Sequence, residues 1–128
     1  MTIQEATEGK GIDIVLDPAG EPTRSQSLSI LAPFGRLIVF GNASGQPAVP
    51  VSPNDLLINN RAVMGYSLSS LSRSVPHILA STARKALDLI VNGEIRIDIT
   101  STLPLEQAAE AHRLIENRGS TGKLVLRI

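Results

Sequence analysis

The chain contains no cysteine and no tryptophan. Without a thiol there is no disulfide framework, no cysteine-based zinc site and no thiolate nucleophile, and two histidines, His77 and His112, offer little to a metal. Net charge is missing as well: 12 basic side chains balance 12 acidic ones. That removes the electrostatic footprint of a nucleic-acid binder, and no basic run is interleaved with aromatics to restore it. No apolar run approaches the roughly 20 residues needed to span a bilayer. The opening MTIQEATEGK carries charges where a signal peptide has its apolar segment. What remains is 128 residues, 42% hydrophobic, enough for one ordinary globular domain, expected in the cytoplasm.

Short, β-branched apolar runs punctuate the chain. IDIVL from Ile12 to Leu16 follows the turn signal Glu8-Gly9-Lys10-Gly11 and precedes Asp17-Pro18. RLIVFG from Arg36 to Gly41 follows Pro33-Phe34-Gly35, and AVMGYSL from Ala62 to Leu68 is a third, weaker run interrupted by Gly65. Near-continuous apolarity predicts strands covered on both faces, as in a parallel sheet. Between the first two runs, Pro22 to Ala32 carries Ser27, Leu28, Leu31 and Ala32 at helical spacing, which makes a βαβ unit. Such a crossover brings the two strand ends together, and ligands of open α/β sheets sit at those carboxyl ends.

Further along, Ser52-Pro53-Asn54-Asp55 reads as a helix start with Ser52 as N-cap. The longest helix is predicted from Val75 to Val91, where Leu79, Ala83, Ala86, Leu87 and Ile90 form one apolar stripe, stopped by Asn92-Gly93. A strand from Ile95 to Thr100, a helix from Pro104 to about Asn117 and a terminal strand KLVLRI complete the reading. A GxGxxG turn, a P-loop, an HExxH pair and a GxSxG elbow are all lacking, so a self-contained hydrolase or nucleotide site is not expected. Gly9 and Gly11 precede a strand rather than follow one, and read as a turn.

Taken in order, GIDIVLDPAG, LAPFGRLIVFGNASG, PNDLL, GYSL and PLEQAAEAHRLIENRGSTGKLVL closely resemble the C-terminal half of the medium-chain dehydrogenase/reductase superfamily, in particular its zinc-free NADPH:quinone oxidoreductase branch. The resemblance implies an α/β fold: a partial Rossmann domain over residues 1–92, its strands matching 4-5-6 of a parallel doubly wound sheet. Residues 93–128 would return towards a GroES-like catalytic domain. It also implies that the chain is about the last two-fifths of a two-domain enzyme, and that strands one to three and the phosphate-binding turn lie outside it. On that footing the parent activity is hydride transfer from NADPH to a quinone or activated alkene, with no metal, and the chain alone is not expected to be active. The alternative is a non-catalytic dimerisation or interaction module, since the resemblance places a homodimer contact on Ala62 to Leu68.

The cofactor contacts carried over are Pro18, Ala19 and Gly20 after the first strand, Phe40, Gly41 and Asn42 after the second, Tyr66, Ser67 and Leu68 after the third, and Arg118. The chemistry is consistent, because small residues let a backbone approach a ligand and a guanidinium pairs with phosphate. Each position also has an ordinary reading. Asp17 before a proline suits a turn as well as a ribose hydroxyl, and Gly41-Asn42 suits either role. Tyr66 could simply be packing. Arg118 near a helix end complements the macrodipole, His112 on an apolar stripe reads as a packed histidine, and His77 carries no signal.

Overall fold

The structure, a computed structural model, describes residues 2–128. Two compact units divide the chain, Met1–Ser74 and Val75–Ile128.

The first unit is built on a three-stranded parallel sheet in the order β1-β2-β3, with β1 Ile12–Asp17, β2 Leu31–Val39 and β3 Ala62–Gly65. A short α1, Ile3–Ala6, precedes it and is closed by a capping box between Thr2 and Glu5. α2, Thr23–Ser29, joins β1 to β2 and packs on both, while α3, Pro53–Asn59, joins β2 to β3. The predicted βαβ unit is therefore present, with the parallel strands that a helical crossover requires. Its helix stops at Ser29, three residues before the predicted end, because Leu31 already pairs with Ile12. Between that pair and the next, Ile14 with Arg36, the ladder is broken by an irregularity on β2 that holds Pro33, Phe34 and Gly35. Phe34 adopts left-handed backbone there (φ 65°), and the regular ladder begins at Arg36, where the sequence placed the strand.

Arg61 fixes the far end of α2. Its guanidinium donates to the carbonyls of Leu28, Ser29 and Leu31, and Phe34 N–H donates to the neighbouring Asn60 carbonyl at 2.6 Å. A cation on the last carbonyls of a helix satisfies acceptors that have no intrahelical donor. Arg61 Nε has no partner among the described residues.

Two local expectations change. Ser52 has the extended backbone of an N-cap, but its hydroxyl makes no capping bond; the Asp55 N–H donates to its backbone carbonyl instead. The third strand ends at Gly65 rather than Leu68, and Leu68–Ser74 forms α4. Ser67 starts that helix, its hydroxyl accepting the Ser70 N–H at 3.3 Å and its carbonyl the Leu71 N–H at 2.9 Å.

In the second unit α5 spans Pro76–Val91, ended by Asn92 as C-cap and Gly93 in left-handed conformation, as predicted. None of its residues is buried. β4, Ile99–Pro104, lies four residues later than the predicted strand and pairs in parallel with β5, Lys123–Arg127. The Glu94 and Ile95 N–H groups are spent on the Leu89 carbonyl, which keeps the start of IRIDIT in the turn after α5. A 3-10 turn, Leu105–Gln107, leads into α6, Ala108–Glu116. Ala111 is its buried residue, and His112 is exposed, not packed as its place on the stripe suggested.

Candidate functional site

Three loops leave the carboxyl ends of the first unit's parallel strands, and the geometry of each follows from few residues. At the end of β1, Asp17 is buried and both of its oxygens are used. Oδ1 accepts the N–H groups of Ala19 (2.9 Å) and Gly20 (3.0 Å), and Oδ2 pairs with Arg24 Nε at 2.7 Å. Burial opposes ionisation, but the Gly20 N–H, the Arg24 guanidinium and the Ala19 N–H together outweigh it and hold the carboxyl below its ordinary pKa. Asp17 is thus the turn former of its two readings. The same arginine reaches the next loop, donating to the Gly41 carbonyl at 2.8 Å.

The first and second loops interlock through backbone. Phe40 N–H donates to Asp17 O (3.0 Å), Ala43 N–H to Pro18 O (3.1 Å) and Ser44 N–H to Ala19 O (2.8 Å). This closeness needs glycine at position 41, where a Cβ would lie 2.6 Å from the Pro18 carbonyl oxygen. Gly20 stands in left-handed conformation (φ 88°) against the Asn42 side chain. Glu21 extends the lock: its carboxylate accepts the Ser25 hydroxyl (2.7 Å) and N–H (3.2 Å) and reaches across to the Val49 N–H at 3.3 Å. The Ser25 hydroxyl above all lowers its pKa, helped against burial by the Val49 and Ser25 N–H groups and the Arg24 charge.

The second and third loops open between them a cleft of about 660 Å³. Val39, Phe40 and Gly41 line one part; Gly65, Tyr66, Ser67 and Leu68 line another; Ser69, Ser70 and Leu71 of the first turn of α4 complete it. Five of the predicted residues therefore share one cavity. Pro18, Ala19, Gly20 and Asn42 lie outside its lining, in the interlocked loops that hold Gly41. Arg118 belongs to the second unit, in left-handed backbone (φ 53°) after α6. The cleft lining holds aromatic faces and hydroxyls but no lysine or arginine. Sequence reasoning missed Ser69, Ser70, Arg24 and Glu21. The first two were visible in principle, since Ser67-Leu68-Ser69-Ser70 is a helix-start pattern. Arg24 and Glu21 act through contacts to residues 17 to 28 positions away that no local pattern reveals.

The sequence profile of a family described as zinc-binding dehydrogenase matches residues 1–126. The chain belongs to this family. It corresponds to the C-terminal cofactor-binding part of a medium-chain dehydrogenase/reductase. Among its relatives, the quinone oxidoreductase of Pseudomonas aeruginosa is 35% identical over 127 residues, covering 97% of this chain and 38% of the relative. That of Sus scrofa is 29% identical over 125 residues, covering 97% and 36%. Among solved structures, Escherichia coli quinone oxidoreductase complexed with NADPH superposes with a TM-score of 0.77 at 29% identity, over 98% of this chain and 39% of that one. The chain thus spans under two-fifths of the length of these family members. The zinc of the family description finds no donor set here: cysteine is lacking, and among the described residues no group of three or more His, Cys, Asp or Glu could hold an ion.

Proposed function

We propose that this medium-chain dehydrogenase/reductase segment forms the nicotinamide side of an NADPH site in a zinc-free, cytoplasmic oxidoreductase of the quinone oxidoreductase type. The substrate class is a quinone or an activated alkene, and the chain is inactive without the remainder of such an enzyme. The observation that carries the reading is the cleft's position at the carboxyl ends of β2 and β3, where ligands of open parallel sheets bind. When bound, the dinucleotide supplies the hydride. The chain's own residues position and shelter it. Phe40 and Tyr66 offer flat apolar surface to a planar ring, and the Ser67, Ser69 and Ser70 hydroxyls offer partners to amide or ribose groups. Gly41 keeps the second loop folded against the first, with Ala19, Gly20 and Asn42 fixing that contact. The cleft lining has no cation for a pyrophosphate, so a phosphate-pairing guanidinium or ammonium would have to come from outside it.

Calorimetric titration with NADPH tests the reading. The chain alone is expected to bind with a dissociation constant on the order of 1 mM, about 4 kcal/mol, and Tyr66→Ala is expected to weaken it further. No heat of binding at several times that concentration would leave only the interaction-module alternative. That second reading has its own support: β3 is an edge strand of four residues with Met64 exposed, a surface suited to a twin strand across a two-fold axis. Light scattering after size exclusion is expected to give a dimer, and a monomer at every concentration would rule that contact out.

A further inference from the structure

The turn that opens α2 sends two side chains to the loop after β2. Arg24 holds the near end of that loop through the Gly41 carbonyl, at 2.8 Å, and Glu21 holds the far end through the Val49 N–H, at 3.3 Å. Only the first of these tethers meets the cleft. Gly41 and its neighbour Phe40 line it, whereas Val49 lies outside the lining.

Arg24 is itself fixed at three points. Its backbone N–H donates to the Gly20 carbonyl (2.9 Å), its Nε to Asp17 Oδ2 (2.7 Å) and its Nη2 to the Gly41 carbonyl. The side chain is 13% exposed and that of Asp17 1%. A guanidinium already held by one partner loses little further freedom in making its second bond, and a charged donor makes that bond stronger than one between neutral groups. The bond also falls where it is most needed. Glycine leaves the backbone free to turn, and Arg24 fixes the peptide that follows Gly41.

We propose that Arg24 is the positioning residue of the cleft: by spanning from Asp17 to the Gly41 carbonyl it holds Phe40 and Gly41 where the nicotinamide is received, without touching the dinucleotide itself. The inference rests on the NADPH reading of the cleft, although the clasp is present in the protein without ligand. A role in binding phosphate fits less well. Nε and Nη2 are both committed to protein acceptors, and Arg24 is not among the lining residues.

The test compares the native chain with Arg24→Lys by nuclear magnetic resonance. Lysine keeps a charge for Asp17, but one ammonium does not reproduce the planar fork that spans two acceptors. Without ligand, the carbon resonance of the Gly41 carbonyl is expected to move upfield. The Phe40, Ala43 and Ser44 amides, which tie this loop to the first, should exchange with solvent about tenfold faster, the effect of losing one charge-assisted hydrogen bond. The Tyr66 N–H, which donates to the Val39 carbonyl at 2.8 Å, should keep its rate. With NADPH, followed through the Tyr66 and Ser67 amide shifts, the dissociation constant should rise about tenfold at low and high salt alike. Should Arg24→Lys fail to fold, Asp17→Asn combined with Arg24→Met takes its place with the same expectations, because it leaves no buried charge unpaired.

An unmoved Gly41 carbonyl, an equal acceleration of all amides of the first unit, or an unchanged NADPH affinity overturns the proposal. A loss of affinity that fades as salt rises also overturns it, by making Arg24 a direct phosphate contact. If the native chain binds no NADPH while the Gly41 signal and the local exchange change as expected, the proposed function falls and the clasp remains. NADPH binding that Arg24→Lys leaves intact does the reverse.

Discussion

Leu37→Ala is expected to bring the first unit to the edge of unfolding. Leu37 is completely buried, and among the described residues the unit's buried apolar side chains are only Leu31, Ala32 and Leu37. Removing three carbons from such a position costs about 2–5 kcal/mol, the larger value where the cavity cannot collapse. β2 is the middle strand, held on both sides by hydrogen bonds, so the backbone has little freedom to close over the gap. A domain of about 74 residues has roughly 4–11 kcal/mol of stability in all. The measurement is urea unfolding followed by circular dichroism, with a midpoint far below that of the native sequence. Leu57→Ala, at an exposed position on α3, serves as the comparison and should shift stability by no more than about 0.5 kcal/mol. Equal midpoints for the two variants would mean that the unit does not depend on this core.

Asp17→Asn should have the next largest effect, and its dependence on pH gives it away. The change keeps the shape but removes the charge that faces Arg24, and presents an amide donor to one set of donors. Breaking a buried ion pair of this kind costs about 3 kcal/mol. Because the folded carboxyl is held below its ordinary pKa, its contribution is complete above the unfolded value of about 3.9. It disappears as pH falls through the lower folded value. The native chain should therefore lose stability on acidification below about pH 4, while the variant, already without the charge, follows a flatter curve. The two should converge in strong acid. A gap that stays constant from neutral to acid pH would mean that the carboxylate's charge contributes nothing. The variant also releases Arg24 from one of its two anchors, so the Gly41 carbonyl, and with it one wall of the cleft, should loosen.

How far the residues themselves announced this structure depends on the range of the interaction concerned. β1, the regular part of β2 and α5 with its Asn92-Gly93 stop were legible because local apolar runs and turn residues decide them. Spacing alone places Leu31 on a helix, yet it is a strand residue, since pairing with Ile12 is a contact across 19 positions. α4 was hidden because AVMGYSL continues the apolar character of β3 past Gly65, and only the serine pattern at 67 to 70 marks the change. IRIDIT alternates as a strand should, but its first residue is committed to the turn after α5, and the ladder forms where β5 lies alongside. At the site the pattern is the same. Loop positions after strands were readable from topology, and the residues that brace them, Arg24 and Glu21, were not, because ionic and hydrogen-bonded partners far apart in sequence leave no local trace.

Tyr66 lines the cleft, and it is the only tyrosine in a chain that has no tryptophan. With excitation selective for tyrosine, the emission of the unlabelled protein therefore originates at a single point, and that point is the cavity wall. A molecule that settles there is expected to change the intensity of that signal without an attached dye. The scarcity of aromatics thus gives this chain its own optical gauge of occupancy.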